Sequence, residues 1–347
     1  ALAGATGAGT VVSGAIYRQG QALQFQARVT DAASGRLIHA LDPVTGTIGA
    51  PMQAIDALRQ QVAGAMAMEE RADAGHGLPD QRPPLYDAYR EFIAGFEQFG
   101  TKDEEALRHF RRAREIDPDF YLPCFYEAYI FHTLGREAEA GASVRFLEDH
   151  RQQLSPNGRW WVDCMRSFVE HRFLEALQAT RECEKLTPQD PIVNTWRSYL
   201  ATLANRPQEA VDSYSRLERD YWKHHVIGEW RIGNFASALH ELNEHPRELE
   251  VVRQSLVNFP ESLSLRVREV RALSALGRVA DVNRVIDEIQ FLQSRGTMPD
   301  EVMLEAALEL RAHGQADASR AMADRLIAWC RAQPAAASVE REQAGLA

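Results

Sequence analysis

The pattern that most constrains this chain is a helical hairpin that recurs from about residue 85 to residue 334. The clearest copy reads Tyr86-Asp-Ala-Tyr89-Arg-Glu-Phe92, then Gly100, Glu105-Ala106, Phe110, Ala113 and Ile116-Asp117-Pro118. An aromatic first helix, a glycine turn, a Glu-Ala opening the second helix and a closing Asp-Pro return with a period of about 34 residues. One such hairpin cannot bury its apolar face alone, so copies stack and cover one another as a solenoid. The usual business of such an array is holding another molecule, not transforming one.

Seven hairpins are read along residues 85–333. The first spans about 85–117, and the second, about 120–154, turns at Leu134-Gly135. The third, 158–188, carries Trp160 and Trp161 in its first helix and stops at Thr187-Pro188. The fourth, 191–220, turns at Asn205-Arg-Pro207; residues 221–229 then interrupt the register as a longer connection. The fifth, 230–260, turns at Glu244-His-Pro246, the sixth, 262–295, at Leu276-Gly277-Arg278, and the seventh, 298–333, at His313-Gly314-Gln315. The tail, 334–347, has few large apolar residues and is expected to be frayed or disordered.

Residues 1–71 read differently, as a small α/β module that is expected to be incomplete. Residues 10–18 are β-rich, residues 23–29 alternate apolar with polar, and residues 36–41 supply a third strand after the turn Asp31-Ala-Ala-Ser-Gly35. A three-strand antiparallel meander follows. Residues 50–68 read as one helix whose apolar face is Ile55, Leu58, Val62 and Met66. Residues 72–84, rich in Gly, Pro and Asp, form the linker.

The net charge of −10 argues against a nucleic-acid partner, which needs a basic surface to neutralise phosphates. No apolar stretch approaches the roughly 20 residues that span a bilayer, so no membrane contact is expected within this segment. The chain begins at Ala1 without a charged leader, which reads as a fragment or processed piece, with room upstream for an anchor. None of Cys124, Cys164, Cys183 and Cys330 forms a CxxC motif. Cys164 and Cys183 share the third hairpin, where buried packing is the default and a bridge needs Cα atoms within about 7 Å.

Residues 1–70 resemble the TolB amino-terminal-like (FlgO-like) domain, through Gly-Ala-Gly-Thr-Val-Val-Ser-Gly at 7–14, Tyr17-Arg-Gln-Gly20, Phe25-Gln-Ala, Asp31, Gly35-Arg-Leu37 and Leu-Asp-Pro-Val at 41–44. The hairpins resemble tetratricopeptide repeats. Together they look like the C-terminal half of bacterial receptor serine/threonine kinases and related cyclase or winged-helix regulators, without the output module. The resemblance implies a mainly α fold: a right-handed superhelical solenoid of about seven tetratricopeptide-like hairpins behind a small α/β module. It implies a sensory or scaffolding role with no catalytic residue, and a location outside the cytoplasm in receptor kinases or inside it in the other relatives.

Most aromatics lie between Leu85 and Phe235, and many are expected to serve the core, with Phe92, Phe96, Phe110 and Trp160 at packing positions of the repeat. Helix positions half a turn away face the concave groove of such an array: Tyr86, Arg90, Tyr126, Tyr129, His132, Arg166, Arg197 and Tyr199. Tyr and Arg often anchor interfaces, so these eight are the expected contacts for a protein or peptide partner. A second reading is a small-molecule sensor with a pocket at Trp222, His224, His225 and Trp230, or at the seam between the α/β module and the first hairpin. For the 221–230 stretch, aromatics plugging a gap between hairpins is the plainer account.

No catalytic, metal or cofactor residues are assigned. Gly4, Gly7 and Gly9 precede a strand, whereas a phosphate loop follows one and opens a helix. His240-Glu-Leu-Asn-Glu-His245 spaces its histidines five apart, about 140° round a helix, and reads as surface residues at a hairpin end. Nothing in the pattern sets an oligomeric state.

Overall fold

A computed structural model describes residues 7–70, 82–188, 190–217, 228–292 and 297–332. The chain divides into two compact units, residues 1–196 and 197–347.

The first unit opens on a sheet. Strands β1 (Thr10–Gln19) and β2 (Ala22–Asp31) form a hairpin, and β3 (Leu37–Ala40) and β4 (Val44–Thr47) share the other edge of β2, all pairs antiparallel. The expected meander therefore has a fourth strand. Residues 37–47 follow one edge of β2, β3 against residues 28–30 and β4 against residues 22–25, with a break before Pro43. Proline has no N–H to give the ladder, which is why one strand became two.

Helix α1 (Pro51–Glu70) covers the sheet. The face expected from sequence is only half right. Ala65 is buried with Val29 and Leu41, and Val62 packs beside them, but Ile55 and Met66 are 39% and 37% exposed. Small residues make the contact instead, because they let the helix come close. Gly64 does the same on the side facing the first hairpin, where a Cβ would lie 1.9 Å from the Pro84 carbonyl oxygen. The side chain of Gln60 also accepts from Asp87 N (3.0 Å) and donates to its carboxylate (2.9 Å), tying α1 to the start of the first hairpin.

That hairpin is α2 (Tyr86–Gln98) and α3 (Asp103–Ile116); α4 (Leu122–Thr133) with α5 (Glu137–Asp149) and α6 (Pro156–Val169) with α7 (Phe173–Leu186) follow. Of the linker, residues 72–81 lie outside the described residues. Asp117 explains the closing Asp of the first copy: buried, it accepts from Leu85 N at 2.8 Å and from Arg82 at 2.5 Å, so the end of one hairpin fixes its own beginning. The unit boundary falls within α8 (Pro191–Leu203).

The second unit continues with α9 (Pro207–Ser215), α10 (Gly228–Glu241), α11 (His245–Leu256), α12 (Leu263–Ala275), α13 (Val279–Ile289), α14 (Pro299–Ala312) and α15 (Ala316–Ala332). Leu263, Val270, Leu273, Val282, Ile286, Met303 and Leu310 form its main core. The expected tail, 334–347, lies outside the described residues.

Each of the seven hairpins turns through one left-handed residue. Gly100, Gly135, Gly277 and Gly314 take it at φ 74°, 69°, 68° and 80°, and His171, Asn205 and Asn243 at 57°, 55° and 59°. In six of them the following N–H reaches back five positions, as from Arg136 to Phe131 O (2.7 Å) and from Gln315 to Leu310 O (2.7 Å). This closure satisfies helix-end carbonyls. The turn demands a backbone conformation rather than glycine itself, and asparagine tolerates it best among the rest. Gly314 has nothing within 4 Å of a would-be Cβ. Gly314→Ala is therefore expected to lower unfolding free energy by about 1 kcal/mol through backbone strain alone, read from urea denaturation midpoints. An unchanged midpoint would contradict the left-handed turn.

Candidate functional site

The first helices of successive hairpins carry an aromatic rim in the first unit. Phe99, just past α2, lies 5.4 Å from Tyr126 and 5.5 Å from Tyr129, both on α4. Tyr129 stacks on Phe168 of α6 at 5.6 Å and 9°, and Trp196 meets both rings edge-on at 5.6 and 5.8 Å. Phe99, Tyr126, Tyr129 and Trp196 are half-buried, so each is braced by neighbours while part of its ring stays open. Beneath Tyr126 and Trp196 lies a small apolar pocket of about 20 Å³, walled by Leu122, Phe125, Trp161 and Met165, with room for about one water.

Of the residues expected from sequence, Tyr126, Tyr129 and His132 come together on this rim. His132 Nδ1 lies 3.2 Å from Glu137, and its ring packs on Phe168 (4.8 Å) and His171 (4.7 Å). Arg166 belongs to an ion-pair network, 3.2 Å from Glu148 and 3.0 Å from Asp163, which also binds Arg151. Tyr86 and Arg90 use another face of α2, with the Arg90 guanidinium 6.0 Å over the Tyr86 ring. They line a cleft of about 860 Å³ with Asp31, Arg36, Met66 and Glu69, at the seam between the sheet module and the first hairpin. Arg197 and Tyr199 lie in the second unit. Arg197 Nε donates to Glu209 at 2.9 Å, and Tyr199 packs on Trp230 at 4.7 Å. Trp222, His224 and His225 lie outside the described residues.

Sequence reasoning missed Phe99, Phe168 and Trp196 as members of the rim. It also placed His240 and His245 on the surface, and the structure corrects this. His245 is buried, and its ring stands 4.8 Å from that of His240 and 5.4 Å from that of His313. Burial pulls the His240 imidazole down, but Glu248 and Glu309 outweigh it and raise it to about 9. The reason for the miss is plain: Asn243 reverses the chain between the two histidines, so helical rotation does not relate them. Three groups of described residues have the composition to hold a metal: His240–Glu309–His313 and His240–His245–Glu248, which share His240, and His132–Glu137–His171.

Cys164 and Cys183 are buried free thiols. Burial pushes the Cys183 thiol up to about 12 and holds Cys164 well above the usual range, so neither is an activated nucleophile. No helix among the described residues is long and apolar enough to cross a membrane.

No family model matches the chain. No curated protein matches it either. Solved structures similar to it include a thermophilic TPR protein of Thermus thermophilus, 17% identical over 54% of this chain and 98% of that one, with a TM-score of 0.42. PilW, a type IV pilus biogenesis factor, is 15% identical over 73% of this chain and 97% of its own, with a TM-score of 0.41. The hetero-tetramer Cut9-Hcn1 gives 13% identity, 79% and 48% coverage and a TM-score of 0.42. The fold stands on the chain's own hairpins: mainly α, tetratricopeptide-like, behind a small antiparallel sheet.

Proposed function

We propose that this chain is a non-catalytic interaction module that holds a peptide or protein segment against the aromatic rim of its first unit. The carrying observation is the run of braced, half-open rings Phe99, Tyr126, Tyr129 and Trp196. Rings already held in place offer large contact area with little side-chain entropy left to lose, which favours capture of an extended segment or helix. The resemblance of residues 1–70 to the TolB-like domain supports a place as the sensory or scaffold part of a bacterial signalling protein.

The test is a displayed peptide library selected on the whole chain. Selected peptides are expected to lose at least about tenfold in affinity on Tyr129→Leu, which keeps apolar bulk against Phe168 but removes the tyrosine plane and hydroxyl. Peptides that bind Tyr129→Leu and Tyr126→Leu as tightly as the parent would sink the assignment.

The seam cleft favours a second reading, a small-molecule sensor. Its volume of about 860 Å³ lies within the range of about 300–1,000 Å³ typical of ligand sites. On that reading a compound library would raise the melting temperature with no protein partner present, and Arg90→Ala would abolish the shift.

A further inference from the structure

The second unit gathers histidines and carboxylates from three helices of two hairpins. His240 is near the end of α10, His245 and Glu248 open α11, and Glu309 and His313 stand one turn apart at the end of α14. The Nε2 atoms of His240 and His313 each lie 3.4 Å from Glu309 Oε2. A tetrahedral centre with bonds of about 2.0–2.1 Å has ligand-to-ligand edges of about 3.3–3.4 Å, so these are the separations such an ion would set. Behind His240, its Nδ1 lies 2.9 Å from Glu248 Oε2. A carboxylate there fixes the imidazole tautomer and leaves Nε2 for a metal.

A separate observation points the same way. The Glu248 side chain is 0% exposed, yet its Oε1 has no hydrogen-bond partner. A buried carboxylate with half its capacity unused is costly unless positive charge stands nearby, and the Arg268 guanidinium supplies only part of it. Arg271 approaches Glu309 at the other oxygen, Oε1, at 3.4 Å, and Glu305 at 3.2 Å. It thus leaves Oε2 to the histidines.

We propose that His240, Glu309 and His313 bind a divalent transition-metal ion of the zinc class, with Glu248 as the positioning residue behind His240. Two imidazoles and one carboxylate suit zinc, nickel or copper rather than magnesium or calcium. Three protein ligands leave a fourth position open to water or to a ligand from outside. The site joins the fifth hairpin to the seventh, so metal occupancy would clamp hairpins distant in sequence.

Cobalt(II) is the probe, titrated into metal-stripped, tag-free full chain and read by the visible absorption of its tetrahedral form. One equivalent is expected to bind, and zinc to displace it. Glu309→Gln and His313→Gln should each weaken binding more than about 100-fold, while Glu248→Gln, acting through His240, should cost about 10–100-fold. Far-UV circular dichroism confirms that each variant is folded. His171→Gln, in the other histidine group, should leave the signal intact. Absence of tetrahedral absorption in the parent overturns the site, as does an unchanged signal in both Glu309→Gln and His313→Gln.

Discussion

Phe92→Ala is expected to lower the unfolding free energy by about 3–5 kcal/mol, towards the upper end for a core truncation. Phe92 is 0% exposed, and its ring meets Phe110 of α3 at 5.7 Å, Phe120 of the following loop at 5.5 Å and Tyr126 of α4 at 5.6 Å. It therefore joins both helices of the first hairpin to the second. The cost of a truncation depends on how far neighbours relax into the void, and these neighbours are rigid rings already packed on one another. Phe110 is itself pressed to Gly95, where a Cβ would lie 2.7 Å from its ring. Phe92→Leu keeps most of the volume and is expected to cost less than half as much. Urea denaturation of the two variants decides the matter. A loss below about 1 kcal/mol for Phe92→Ala would mean the junction is not packed as described.

Arg114→Met is the other large effect, expected to cost about 3–5 kcal/mol at neutral pH. Glu127 on α4 is 4% exposed, and Arg114 on α3 donates to it at 2.5 Å while lying 4.3 Å over the Phe146 ring. Methionine keeps the stem's packing but leaves a buried carboxylate without its cation. Burial already raises the Glu127 carboxyl above the usual value, with Arg114 pulling the other way. A carboxyl raised on folding takes up its proton more readily folded than unfolded. Its contribution to stability is therefore greatest below the unfolded value of 4.5 and declines as pH rises through the folded one. Without Arg114 that shift widens, so the penalty of Arg114→Met should shrink on going from neutral pH to about pH 4.5. Adding Glu127→Leu removes the orphaned charge and should recover most of the loss. Equal penalties at the two pH values would show that Glu127 finds another partner.

The hairpin boundaries are legible in the sequence because each turn carries a local signal. Gly135, Gly277 and Gly314 announce a left-handed residue, and Pro207 and Pro246 mark where a second helix begins. His171 gives no such signal, yet it takes the same conformation, and Arg172 N closes the turn on Ser167 O at 2.8 Å just as those glycine copies do. Helix α1 departs from its expected face for a different reason. Apolar periodicity finds large side chains, and α1 docks by Gly64 and Ala65, whose smallness permits an approach that Ile55 and Met66 would obstruct. The fourth strand is hard to see in sequence because four residues after a proline carry little pattern.

On the rim, Tyr126 and Tyr129 are legible from their helix positions, since both sit where a first helix faces its neighbours. Trp196 is not, because its part depends on stacking between hairpins rather than on spacing within one. The histidine group is the least legible of all. His240 and His245 straddle a turn, and Glu309 and His313 come from two hairpins further on. No local period relates residues that meet only after the array has stacked.

The seven left-handed turns also decide where this chain can change. Gly100, Gly135 and Gly314 face open space, with no atom near enough to meet a new side chain. A peptide grafted at any of these tips would displace no neighbour, and lengthening an exposed loop costs only about 0.6 kcal/mol for each doubling. The helix faces have no such latitude, since Gly64 and Gly95 already sit against backbone or ring atoms. Novelty in this architecture is therefore admitted at the tips and refused along the flanks, so reporter sequences and inherited insertions should collect at the same positions.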